Sequence, residues 1–458
     1  MKNINTLIKQ LGFTIALCIN VNLFAQVSPE LTTRFQNTLD SVCNKYKIKG
    51  TSAAVLIPGV GVWKGAYGVS HQNVPLTTNM LLGMGSNTKT HIAVVLLLMQ
   101  EQQLISLDDT IGKWITGYPN IKGSITIRQC LNHTSGLFDY MQAASINDSI
   151  FNYPEKIWTR EEILRLAAAP NFQPGAGWNY SNTNYIVTGI IIEKVLNKSP
   201  FKAIKDLILD PHQLNHTYNY GDEGSETLAH PWSMNMTGTE LTDMTTTPYL
   251  NTLFSLANTA GSLVTTAEDN VWFWYKLCNQ QMLNKASWNQ LTTVKTIGTN
   301  VGYGLGIFRN SRALNGRTYY AHGGTFFGYI NENIYDTTSG VTIAALTNQD
   351  SMNNDGVTAT IIKALHKVTL SYVATGLNEH QTPSALLAYP NPCSEFINLD
   401  PKLEFNSIKL MDVSGRIILE TDGQQHLNVS NIPNGLYLLM VGNTNENKYY
   451  QQRIVVQH

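Results

Sequence analysis

Gly85-Ser86-Asn87-Thr88-Lys89-Thr90, running directly into His91-Ile92-Ala93-Val94-Val95-Leu96-Leu97-Leu98-Met99, is the most informative segment of this chain. The run from Ile92 to Met99 is hydrophobic on every side, which marks a helix enclosed in a protein interior. It is too short to cross a bilayer. Ser86 stands where that helix begins, so Ser86 and Lys89, three positions apart, share a face and their side chains can touch. A helix N-terminus offers free N–H groups and partial positive charge, which suits an oxyanion forming beside Ser86. Lys89 beside apolar bulk loses proton affinity through desolvation, and a neutral lysine can act as a base. In isolation the same spacing is far more often a helix N-cap followed by a solvated lysine.

Two further segments carry polar chemistry. Tyr180-Ser181-Asn182 sits between the Pro174-Gly175 turn and the next helix, a position for loop residues that face a cleft. His322-Gly323-Gly324-Thr325 opens an apolar strand, where adjacent glycines let another backbone approach closely. In this order the three segments resemble the serine β-lactamase and penicillin-recognising family, in particular its class C-like and D,D-peptidase or esterase branches. Cys130-Leu131-Asn132-His133-Thr134-Ser135-Gly136-Leu137, Pro174 to Asn182, Ala260-Gly261-Ser262-Leu263 and Tyr303-Gly304-Leu305-Gly306 extend the resemblance over roughly residues 30 to 368.

The resemblance implies that Ser86 is the acylated nucleophile and that Lys89 and Tyr180 share proton transfer. Asn182 would meet the substrate's amide, and His322, Gly323, Gly324 and Thr325 would bind the substrate's other side. The backbone N–H groups of Ser86 and Thr325 would form the oxyanion hole. One departure matters, since many members begin the strand triad with Lys, a permanent cation that grips a carboxylate, whereas His322 is often uncharged near neutral pH. No counterpart of the dedicated glutamate base of class A enzymes is evident, so Tyr180 or the Lys89 network would activate the deacylating water. Candidate substrates are D-amino peptides, β-lactams and small esters. The rival reading is a non-catalytic cell-wall or peptide binder that keeps the pocket, and a third is an adhesin whose asset is the C-terminal unit.

Other catalytic readings fit less well. Thr88 stands where the second glycine of a Gly-x-Ser-x-Gly elbow belongs. His212 and His216 have helical metal spacing but no intervening Glu, so neither metal nor any other cofactor is expected. Ser135 beside His133 belongs to a segment that is structural in the resembling family.

The chain has 458 residues, 43% hydrophobic and only 14% charged, with a formal net charge of -1. That field is too weak to draw nucleic acid, and no Lys/Arg block longer than a pair occurs. Lys2 and Lys9, an apolar run from Leu11 to Ala25 and a polar sequence from Gln26 read as a secretory signal peptide over residues 1–25. The product is then secreted or at the cell surface, with no transmembrane segment in the mature chain. Cys43, Cys130, Cys278 and Cys393 are widely spaced without a Cys-x-x-Cys pair, so no zinc knuckle is indicated.

The expected fold is α+β, a β-lactamase/transpeptidase-like antiparallel sheet flanked by helices. A helix over 30–47 leads into a strand hairpin from Gly50 to His71. A helical subdomain fills about 104 to 300, with helices at Thr159–Ala168 and Thr183–Asn197. Strands return at Tyr303–Phe308, Thr318–Tyr335 and Val341–Thr347, followed by a helix from about Asn354 to Lys367. Strands at both ends of the domain suggest one sheet assembled from distant parts of the chain. The hydrolase-like domain spans 26–370, a linker 371–387, and a small β-sandwich 388–458. Tyr389-Pro390-Asn391-Pro392, Asp412 to Arg416 and Pro433-Asn434-Gly435-Leu436-Tyr437 resemble the type A sorting domain of type IX secretion, which implies the secretion machinery as a partner besides a small-molecule or peptide substrate.

Overall fold

A computed structural model describes residues 27–458 apart from 223, 225, 235–239, 315, 351–355, 380–387, 402–404, 413–416 and 444–447. The expected signal segment therefore lies outside the described residues, as do parts of the expected linker and of the Asp412–Arg416 motif.

Pro29–Tyr46 forms α1, entered through an N-cap at Ser28 and a proline in its first turn. Leu31, Phe35, Leu39 and Cys43, four apart, give it a single buried face. The chain then pairs Gly50–Ile57 (β1) with Gly61–His71 (β2) in the expected hairpin, extended by Val74–Pro75 (β3). The rest of the sheet comes from far along the chain: Lys295–Gly298 (β4), Val301–Tyr303 (β5), Phe308–Leu314 (β6), Arg317–Ala321 (β7), Gly324–Phe326 (β8), Tyr329–Asp336 (β9) and Thr342–Thr347 (β10). The order across this 10-stranded antiparallel sheet is β3-β2-β1-β10-β9-β7-β6-β5-β4, with β8 pairing the start of β9. β1 pairs with β10 from Thr51↔Thr347 to Leu56↔Thr342, so the two ends of the domain meet at the sheet's middle.

β1 and β10 are buried on both faces, and the two-residue alternation of a strand divides them between two cores. Ala53, Val55, Ile343 and Ala345 pack with α1 and with the helix Val357–Glu379. Ala54, Leu56, Ala344 and Leu346 join the larger core, which includes the helical subdomain. At the centre of that core lies Thr88–Glu101 (α2), buried at every position from Thr88 to Leu97.

Three expectations need correction. The segment Tyr303–Phe308 is not one strand, because Tyr303 pairs with Phe308 across a turn in which Gly306 has φ +71°. Thr318–Tyr335 is three strands, broken at His322-Gly323 and at Phe327-Gly328. The final helix runs through Glu379, well into the stretch expected to be linker, because Val368 and Tyr372 continue its buried face. A lone Gly376 costs about 1 kcal/mol and does not end it.

The C-terminal unit consists of two small antiparallel sheets, one of Ala388–Tyr389, Phe396–Leu399 and His426–Asn428, the other of Ser407–Asp412, Ile417–Thr421, Gly435–Asn443 and Lys448–Val456. Ile397, Leu399, Ile408, Leu410, Leu427 and Leu439 belong to its shared core, the arrangement of a β-sandwich. The Tyr437 hydroxyl donates to Pro433 O at 2.7 Å, which pins the Pro433-Asn434-Gly435 turn. No described helix is long and apolar enough to cross a membrane.

Candidate active site

Ser86 occupies a 3-10 turn, Gly85–Asn87, just ahead of α2 rather than inside it. The turn is clamped from several directions. Asn331 of β9 donates its amide to the carbonyl oxygens of Gly83 and Met84, and Asn87 donates to Asn270 and Asn333. Gly85 has φ +49°, and a methyl group there would lie 2.9 Å from Thr325 O. At Gly324 a methyl group would come within 1.9 Å of Met84 O and 2.8 Å of the Ser86 nitrogen. These two glycines therefore let β8 and the Ser86 turn touch backbone to backbone.

Lys89 is fully buried. Its Nζ lies 2.9 Å from Ser86 Oγ, 2.8 Å from Asn182 Oδ1 and 2.7 Å from Ala260 O. Burial lowers its pKa from 10.5 to about 7, against the opposing pull of the Asp139 carboxylate. Asn182, expected to meet the substrate's amide, has its carboxamide held at both ends. Its oxygen accepts from Lys89, and its nitrogen donates to Asp139 Oδ1 and Oδ2 at 3.2 and 3.0 Å. Asp139 is itself buried, which raises its pKa, and also accepts from Met141 N–H.

The Tyr180 ring centroid is 5.0 Å from Lys89 Nζ. Burial raises the phenol's pKa and the adjacent Ser86 side chain opposes that rise, but no protein hydrogen bond of ordinary geometry closes on the hydroxyl. The loop carrying it is held by His133, whose Nδ1 accepts from Ser181 N–H at 3.1 Å and whose ring lies 4.2 Å from that of Tyr180. With Nδ1 accepting, the ring proton belongs on Nε2. The Ser135 hydroxyl donates to Asn184 Oδ1 at 2.6 Å, a structural use of that serine.

His322 is placed differently from expectation. It is 1% exposed and does not line the cleft. Its Nδ1 faces Gly323 O at 2.6 Å and its Nε2 faces the Tyr303 hydroxyl at 3.0 Å. Burial, with Lys89 nearby, lowers its pKa to about 3, so the ring is neutral. Thr325, by contrast, is exposed and lines the cleft together with Ser86 and Asn182. Gly324 permits close backbone approach, whereas a methyl group at Gly323 would come no nearer than 3.2 Å, to Asn331 O.

The cleft has a volume of about 190 Å³. Its remaining walls include Tyr140, Met141, Leu253, Leu256, Phe326 and Phe327, none of which the motif reading singled out. Nor did that reading find Asp139, although Leu137-Phe138-Asp139-Tyr140, an acid set in an apolar run just after Gly136, was a usable signal. Among the described residues no cluster of His, Cys, Asp and Glu is arranged to hold a metal ion. Cys43, Cys130, Cys278 and Cys393 are buried free thiols.

Comparison with known proteins adds to this geometry. The Beta-lactamase family model matches residues 31–367, and the model of the Secretion system C-terminal sorting domain matches 387–457. Penicillin-binding protein 4* of Bacillus subtilis is 32% identical over 192 residues, which cover 40% of this chain and 41% of that protein. The match thus spans well under half the length of that curated relative. A D-stereospecific amidohydrolase from Streptomyces sp. superimposes with a TM-score of 0.63 at 28% identity, covering 73% of this chain and 98% of the other. A D-amino acid amidase from Ochrobactrum anthropi SV3 shares the fold with a TM-score of 0.66 at 23% identity, covering 75% of this chain and 99% of the other.

Proposed function

Since the chain belongs to the beta-lactamase family and carries a type IX sorting domain behind the family's fold, we propose that it is an exported serine hydrolase that cleaves amide or ester bonds through an acyl-enzyme on Ser86. The observation that carries this reading is the 2.9 Å contact between Lys89 Nζ and Ser86 Oγ at a site dry enough to bring the lysine's pKa to about 7. Much of the Lys89 population is then neutral at physiological pH, with a lone pair to receive the serine proton.

In this reading Ser86 Oγ attacks the carbonyl carbon while its proton passes to Lys89 Nζ. The carbonyl oxygen becomes an oxyanion between the N–H groups of Ser86 and Thr325. Collapse expels the amine or alcohol, which takes a proton through Tyr180 and Lys89, leaving the acyl group on Ser86. Water, deprotonated through the same pair, then attacks the ester, and the acid departs as Ser86 recovers its proton. The raised phenol pKa supports Lys89 as the base and Tyr180 as a proton donor and relay, since a phenolate is disfavoured there. Asp139 and Asn182 keep Lys89 aimed at Ser86.

The test is covalent labelling with a fluorophosphonate and a penicillin, read by intact mass, on the wild type and Ser86→Ala. One fluorophosphonate adduct on the wild type and none on a folded Ser86→Ala is expected. Labelling that persists in the variant names another nucleophile, and reversible binding without adduct across both probes supports the non-catalytic binder instead.

A further inference from the structure

Among the described residues lining the cleft there is no Lys, Arg, Asp or Glu. Tyr140 presents its ring, because its hydroxyl is committed to Leu256 O at 2.6 Å. Phe326 is backed by Phe254 at 4.3 Å between ring centroids, and Phe254 is stacked on Tyr220 at 3.8 Å, so that wall is a braced aromatic layer. The cations within reach are already engaged or absent. Lys89 Nζ has three protein partners beneath the cleft floor. His322, where many relatives of this motif have a permanent cation, donates from Nδ1 to Gly323 O and accepts at Nε2 from Tyr303, which leaves it no hydrogen for a substrate carboxylate.

Resting on the hydrolase reading above, we infer that the site acts on uncharged esters and amides with an apolar or aromatic group beside the scissile carbonyl, and discriminates against substrates carrying a carboxylate there. A carboxylate entering this cleft gives up its water without gaining an ion pair. An apolar group gains burial against Leu253, Leu256, Met141 and Phe327. Pockets of this kind typically discriminate by roughly 10- to 200-fold per small apolar group.

The experiment compares kcat/KM, each normalised to the rate with hydroxide, for matched aryl esters. The acyl series is acetyl, butyryl, phenylacetyl and succinyl, and each acyl group is joined to 4-hydroxybenzoate or to its neutral methyl ester. Phenylacetyl should exceed acetyl by about tenfold or more, with succinyl and the 4-hydroxybenzoate esters about tenfold or more below their neutral partners. Met141→Lys, at a half-buried position on the cleft wall, should narrow the carboxylate penalty several-fold. Carboxylates turned over as well as neutral esters overturn the inference, as does an unchanged penalty in a folded Met141→Lys. Absence of any Ser86 adduct with a fluorophosphonate overturns the hydrolase reading and this inference together.

Discussion

Acidification should shut down acylation of Ser86 along a limb set by Lys89. With a pKa of about 7, half of Lys89 is neutral at pH 7 and about 3% at pH 5.5, so the acylation rate should fall about 15-fold over that interval. A solvated lysine would be neutral in only about 0.04% of molecules at pH 7, so burial raises the concentration of usable base about 1,000-fold. The same shift has a stability counterpart. The folded-state pKa lies below the unfolded value of 10.5, so the unfolded chain holds the extra proton between about pH 7 and 10.5. Stability attributable to this group therefore rises with pH across that window, by at most about 5 kcal/mol. Fluorophosphonate labelling quenched at timed intervals and read by intact mass gives the acylation rate from pH 5 to 8.5. Denaturation of the wild type against Lys89→Met isolates the stability slope from the constant cost of lost hydrogen bonds. A labelling rate flat between pH 5.5 and 8 would refute the reasoning. So would Lys89→Arg keeping a tenth of the rate, because a guanidinium does not release its proton.

Tyr180→Phe should slow acylation by about 100- to 10,000-fold while moving the melting temperature little, because the neighbouring Ser86 side chain makes no bond of ordinary geometry to the hydroxyl; a large drop in stability measured by calorimetry would contradict this. Asp139→Asn removes the carboxylate that pulls Lys89 upward, so the acid limb of the labelling profile should move to lower pH. An unmoved limb would mean the carboxylate only caps its turn. Gly324→Ala drives a methyl group into Met84 O and should cost about 1–3 kcal/mol by denaturant titration together with most of the labelling rate.

Ser86, Lys89 and Tyr180 were legible as candidates because three short segments, each weak alone, occur together in the order of the family they resemble. Asp139 was harder to see, since its meaning depends on Asn182, 43 positions away, and on burial that no periodicity reveals. The cleft walls were invisible for a related reason. Leu253 and Leu256 read as one more buried helical face, and nothing in their spacing distinguishes a wall that meets substrate from one that meets other leucines. His322 was legible as a member of its motif but not in its direction, which is set by Tyr303 on a neighbouring hairpin. At the fold level, the pairing of early and late strands followed from their hydrophobic runs, whereas the Tyr303–Phe308 turn and the long last helix depended on one glycine's φ and on packing by Val368 and Tyr372.

The meeting of β1 with β10 has a consequence for synthesis and export. Until Thr347 has emerged, β1 is a long apolar edge with no neighbour on one side, the kind of surface that recruits another polypeptide. High contact order makes such closure slow. A truncated chain ending before β10 should therefore aggregate rather than yield a smaller working enzyme, and a chaperone that shields Gly50–Ile57 would raise the yield of folded protein.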